Sequence, residues 1–195
     1  ICNLDEYYPT RTEIGILEER LGEIAGLIGR QAHLIELGSG ASVKIRSLLD
    51  ALPDLAQYTA VEISRDFLLQ SSETLALDYP GLRVAAVCAD YTGAFAVPGP
   101  AARRVAFFPG STIGNFLHAD AVAFLRRIAT LLGPGGGLLI GADLKKDHDR
   151  LHAAYNDAQG ITAAFNLNLL HRINGELGGD FDVDGFRHEA VYLTG

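Results

Sequence analysis

The stretch Leu34-Ile35-Glu36-Leu37-Gly38-Ser39-Gly40 constrains the fold more than any other. An apolar run carrying one acid breaks into glycines, with a helical pattern directly behind it. It reads as a strand emptying into a ligand loop. Glycine lets the backbone turn sharply and come close to a ligand, and the helix expected from about Ser42 to Leu52 presents unpaired N–H groups at its start. The alternation then continues: strand Thr59 to Ile63, helix Arg65 to Leu77, strand Arg83 to Cys88, strand Arg104 to Phe108, helix Asp120 to Leu132 and strand Gly137 to Ala142. Strands alternating with helices predict an α/β fold of the Rossmann-like kind, a mostly parallel sheet with helices on both faces. Ligands of such sheets sit at the carboxyl ends of the strands.

Helical additions flank this core. Ile14, Leu17, Leu21, Ile24 and Ile28 recur three or four apart as one apolar helical face, and Thr10 with Glu13 forms a capping box that predicts a helix start near Arg11. Behind the sheet, a helical insertion near 147–178 is expected as two pieces, Asp147 to Tyr155 and Thr162 to Leu177. Gly178-Gly179 ends it, and a final strand follows over Arg187 to Leu193. One domain accounts for the whole: an N-terminal helical segment over 1–32, a cofactor-binding core over 33–146, and substrate-side helices with the last strand over 147–195. The chain starts at Ile1, holds no methionine and stops at Gly195, which reads as trimming at both ends.

Composition narrows the function. With 48% hydrophobic and 21% charged residues, 195 residues make an ordinary globular chain with one sizeable core. A formal net charge of -8 without a long basic run argues against nucleic acid as a partner and for a small-molecule substrate. The two cysteines, Cys2 and Cys88, lack metal-ligand spacing and suggest neither a disulfide framework nor a zinc site. No apolar run is long enough to span a bilayer, and no basic-then-apolar leader opens the chain, so no membrane role and a cytoplasmic location are expected. A monomer is compatible with this pattern, which leaves the oligomeric state open.

Gly-x-Gly alone is shared by folds that bind dinucleotides and folds that bind S-adenosylmethionine (SAM). Here Val43 stands where the dinucleotide fingerprint has its third glycine, and Glu36 precedes Gly38 by two residues. A carboxylate there would repel a pyrophosphate but could attract the ammonium of a methionine moiety, which favours SAM. Glu62, closing the run Tyr58-Thr59-Ala60-Val61-Glu62, can accept hydrogen bonds from both ribose hydroxyls, and would serve NAD equally well.

Four strings carry a resemblance: Tyr8-Pro9-Thr10-Arg11-Thr12-Glu13; Gly110-Ser111-Thr112-Ile113-Gly114-Asn115; Phe165-Asn166-Leu167-Asn168-Leu169-Leu170; and Arg172-Ile173-Asn174 leading to Gly178-Gly179-Asp180-Phe181. Together they resemble the SAM-dependent histidine Nα-methyltransferases of ergothioneine biosynthesis, over nearly all of the chain. That resemblance implies a class I methyltransferase fold, with Gly38 and Gly40 facing the cofactor and Lys44 meeting its carboxylate. It also implies that Glu62 holds the ribose, Asp90 accepts from the adenine amine, and Tyr91 packs beside the adenine ring. On the substrate side it implies that Gly110 and Asn115 hold the amino and carboxylate groups of histidine, that Tyr155 binds the carboxylate, and that Tyr8 stands near the imidazole. Family members carry a further acid and hydroxyl beyond the last strand, and an earlier tyrosine, none of which lies in this sequence.

The expected activity is SAM-dependent methylation of the α-amine of a free amino acid, histidine foremost, giving S-adenosylhomocysteine (SAH), with Asn115 and Tyr155 as the catalytic residues. Another amino-acid acceptor, an NAD(P)-dependent oxidoreductase, and a non-catalytic ligand-binding protein are the alternatives. Two metal-like patterns are set aside. Asp180-Phe181-Asp182-Val183-Asp184-Gly185 opens like a calcium loop but places Val191 where a bidentate Glu is needed, and His148 with His152 lack the intervening glutamate of a zinc-protease motif.

Overall fold

A computed structural model describes residues 7–40 and 43–191. Two helices open it, α1 (Tyr8–Glu19) and α2 (Leu21–Ile28). The alternation follows as β1 (His33–Leu37), α3 (Val43–Ala51), β2 (Gln57–Glu62), α4 (Arg65–Asp78), β3 (Val84–Cys88), β4 (Arg104–Phe108), α5 (His118–Leu132) and β5 (Gly137–Ile140). Helices α6 (His148–Tyr155) and α7 (Ile161–Leu177) come last.

All strand pairings are parallel, in the order β3-β2-β1-β4-β5. The expected mostly parallel sheet is therefore present. Its central strand, β1, is buried at every residue, as a strand covered on both faces must be. Leu34 packs with Ile45, Leu48, Tyr58 and Phe107 in one apolar cluster, while Ile35 and Leu37 face the other with Phe108, Phe124 and Ile128. Helix α5 reaches that second cluster through Phe124, Ile128 and Leu132, one turn apart on one face.

The order of the strands reverses between β1 and β4. Chain direction runs from β1 outward to β3 on one side and from β4 to β5 on the other. The loops after β1 and β4 consequently leave the sheet side by side, at the switch point where open α/β sheets bind ligands.

Three local expectations are corrected. The capping box is absent: α1 begins at Tyr8, so Thr10 lies within its first turn, and the Glu13 carboxylate accepts the N–H of Gly110 instead of a local one. A cation and a distant backbone donor outcompete the local cap. The continuous N-terminal helical face breaks at Arg20, yet Leu17 and Ile28 still reach the core, with Leu21 and Ile24 packed against it. Finally, residues 187–191 form no strand, and 192–193 lie outside the described residues, as does Ser42, the expected start of α3. Asn156 takes over the role of a ladder partner, accepting the Ala190 N–H at 2.9 Å and donating to its carbonyl at 3.0 Å.

The chain divides into two units, residues 13–143 with the whole sheet, and residues 7–12 with 144–191. In the latter, Asp157 caps α7 by accepting the N–H groups of Ile161 and Thr162, both at 2.8 Å.

Candidate active site

The loop after β1 turns on two left-handed glycines, Gly38 at φ 74° and Gly40 at φ 46°. The N–H of Gly38 donates to the Val61 carbonyl at 2.9 Å, which ties the loop to β2. A Cβ on Gly38 would come within 3.3 Å of the Tyr91 ring, so the position is constrained by space as well as by backbone angle.

At the end of β2, Glu62 accepts the N–H groups of Ile63 at 2.9 Å and Ser64 at 3.2 Å, and that of Gly40 at 3.4 Å. After β3, Asp90 accepts the hydroxyl and N–H of Thr92, which hold its carboxyl below the ordinary value. Tyr91 packs edge-on against Phe108 and Phe124. Burial, with Glu62 and Asp90 nearby, pushes its hydroxyl pKa up. Thus Gly38, Gly40, Glu62, Asp90 and Tyr91, spread over more than fifty residues of sequence, gather at one end of the sheet.

Glu36 is placed differently from its neighbours. It is 2% exposed and accepts the Tyr58 hydroxyl at 2.5 Å, and burial raises its pKa to about 8 despite Tyr58 and Lys44. This carboxyl lies within β1, hydrogen-bonded to a side chain of the neighbouring strand β2.

The loop after β4 holds consecutive left-handed residues, Gly110 at φ 82° and Ser111 at φ 56°. Ser111 is not a glycine, and its Oγ compensates by accepting the Asp143 N–H at 2.8 Å. A single 3-10 turn over Thr112–Asn115 follows. Asn115 is exposed, and its amide has no hydrogen-bond partner among the described residues. Nor does it cap α5, whose N-cap is Leu117.

From sequence, Glu13 reads as half of a capping box rather than as a site residue. In the structure it joins the loop after β4 to the start of α3, accepting the Gly110 N–H and an ion pair from Lys44 Nζ. No local signal distinguishes such a glutamate from a helix cap. Gly141, where a Cβ would collide with the Glu13 carboxylate, is equally silent in sequence.

Tyr8 and Tyr155 belong to the other unit. The Tyr8 ring is 6% exposed and lies under Lys146 Nζ, 4.8 Å from the ring centroid, and the Arg150 guanidinium, 4.4 Å away. Tyr155 ends α6, is 43% exposed and stacks edge-on with Tyr7. His148 and His152 stack at 6.0 Å, and no metal-binding group of side chains occurs among the described residues.

The donor set at the switch point fits SAM. Glu62 offers a carboxylate for a ribose diol, Asp90 an oxygen with no partner among the described residues for an amine, and Lys44 an ammonium for a carboxylate. A pyrophosphate would meet the carboxylates of Glu62 and Asp90 here. A model of SAM-dependent, histidine-specific methyltransferases matches residues 1–194. The chain belongs to that family. It is 45% identical to a histidine N-alpha-methyltransferase of Mycolicibacterium smegmatis over 98% of its own length and 60% of the relative's. It is 36% identical to ergothioneine biosynthesis protein 1 of Neurospora crassa, covering 24% of that protein. The chain thus spans about 60% of the bacterial relatives it matches. Among solved structures, mitomycin 7-O-methyltransferase superposes with a TM-score of 0.52 at 21% identity, covering 70% of this chain and 40% of that one. A SAM-dependent methyltransferase from Methanococcus maripaludis, described as putative, gives 0.51 at 17%, covering 87% and 80%. Both likenesses speak to the fold. Among the described residues, no helix of this family member is long and apolar enough to cross a membrane.

Proposed function

We propose that this chain carries the methyl-transfer site of an N-methyltransferase that acts on the α-amine of free histidine. The observation that carries the reading is the adjacency of two glycine-turned loops at the switch point, one surrounded by acids suited to a nucleoside and the other ending in an uncommitted asparagine.

Bound SAM supplies an electrophilic methyl group. The residues of this chain supply position. Glu62 and Asp90 hold the nucleoside, and Lys44 holds the carboxylate end. In the first two transfers Asn115 accepts an N–H of the substrate amine and so aims the nitrogen lone pair at the methyl; for Tyr155 and Tyr8 the family resemblance alone suggests the substrate carboxylate and the imidazole. A free α-amine titrates near pH ~8, so a neutral fraction exists at physiological pH and a strong protein base is dispensable. Each transfer releases one proton to solvent. Orientation supplies the acceleration, as it does wherever a bimolecular step is made effectively unimolecular. The glycine walls of the Gly110 loop leave room for a nitrogen that grows with each methyl.

The test is direct: incubate the protein with SAM and all twenty amino acids at equal concentration, and follow products by mass spectrometry. Histidine alone should gain up to three methyls. Methylation of another amino acid would keep the chemistry and overturn the acceptor; SAH binding without any product would leave a non-catalytic cofactor-binding protein.

A further inference from the structure

One acid touches both the loop after β4 and the first turn of α3. Glu13 sits on α1, yet its carboxylate reaches two distant segments: the Gly110 N–H donates to its two oxygens at 2.8 and 2.9 Å, and Lys44 Nζ donates to Oε2. Both partners of the ion pair are sheltered, with side chains 17% and 18% exposed. Room for this carboxylate exists because residue 141 has no side chain; a Cβ there would collide with Glu13 Oε1. A Cβ on Gly110 would in turn stand 3.6 Å from Lys44 Nζ. Exposed Glu–Lys pairs contribute little, but a sheltered pair whose carboxylate also holds a backbone donor locks several groups into one geometry.

We propose that Glu13 is a positioning residue that aims Lys44 at the carboxylate of the cofactor's methionine portion and holds the acceptor loop against the same anchor. This rests on the function proposed above. A lysine ammonium has three donors; Glu13 takes one and leaves the others for the incoming carboxylate. A long flexible lysine would otherwise have to be ordered on binding, which costs rotamer entropy. Glu13 therefore favours ligands that carry the carboxylate and is indifferent to those that lack it. Gly141 belongs to the same device, as the vacancy that admits Glu13.

The experiment compares SAH with 5′-methylthioadenosine, the same nucleoside without the amino-acid portion, by titration into the purified wild type, Glu13→Gln, Gly141→Ala and the double variant. Glutamine keeps an acceptor for the Gly110 N–H but withdraws the charge from Lys44. The SAH Kd should rise about tenfold in each single variant, with the 5′-methylthioadenosine Kd unchanged, and the double variant should be no worse than either single one. Tighter SAH binding by Glu13→Gln would overturn the proposal, since Glu13 would then be competing with the cofactor carboxylate. Equal weakening of both ligands would also overturn it, because a general loss of structure makes no such distinction. If the wild type binds no SAH at all, the underlying function fails first.

Discussion

Two side chains near the switch point carry opposite assignments, and each can be tested on its own. Asn115 is exposed, caps nothing and has no protein partner among the described residues, so under the proposed function its loss should disturb substrate placement and little else. Asn115→Ala should lower kcat/KM for the amino acid about a hundredfold while leaving the SAH Kd within experimental error, as isothermal titration alongside steady-state kinetics would read. Equal loss of both would remove the role given to it. Glu36 is the reverse case, a carboxyl buried in the sheet and hydrogen-bonded to Tyr58. Its pKa rises from 4.5 to about 8 on folding, chiefly through burial. The folded protein therefore binds more protons than the unfolded chain between those values, and stability falls as pH rises through that window, with a slope of up to ~1.4 kcal/mol per pH unit. Glu36→Gln, which can still accept the Tyr58 hydroxyl, should flatten this component in denaturant titrations between pH 5 and 8; an unchanged slope would place the proton elsewhere.

At the level of elements, α5 links the core to the cofactor loop. Phe124 is fully buried, its ring 4.9 Å from that of Phe108 and 5.2 Å from that of Phe116, and it also meets Tyr91, the residue that lies over Gly38. Truncating it removes one wall of this aromatic group. Phe124→Ala should cost about 3–5 kcal/mol of stability by chemical denaturation. Because Tyr91 loses a neighbour, SAH affinity should fall as well, whereas Phe124→Leu should restore most of both. The first helix illustrates how a local pattern can mislead about an element's job. Its apolar spacing correctly signals a buried face, since Leu17 enters the core, but Thr10 and Glu13, spaced like a capping box, do not cap it.

For the molecule as a whole, the sheet brings the ligand groups to one edge before any ligand arrives, so cofactor binding should stabilise the fold without rebuilding it. SAH at a hundred times its Kd should add ~2.7 kcal/mol, which for a chain of this size raises Tm by roughly 5–10 °C in a thermal melt. A markedly larger shift would mean that a substantial segment folds on binding. Most of this architecture was legible in the amino-acid order. Glycines after an apolar run demand a strand, a tight loop and a helix; the alternation that follows demands a parallel sheet; and the acids at or just beyond the ends of successive strands, Glu62 and Asp90, fall where such a sheet displays its ligands. Those are consequences of local backbone physics and of chain order, and they need no knowledge of distant contacts. The last strand expected over 187–193 did not appear within residues 187–191 because a strand is defined by a partner, and Asn156 supplied the hydrogen bonds instead. Only the tertiary structure decided that Glu13 serves Lys44 and Gly110 rather than its own helix, that Gly141 must lack a side chain, and that Glu36 is buried against Tyr58. Each of these depends on which remote group a carboxylate meets once the strands reverse between β1 and β4, a pairing of segments tens of residues apart that no local spacing encodes.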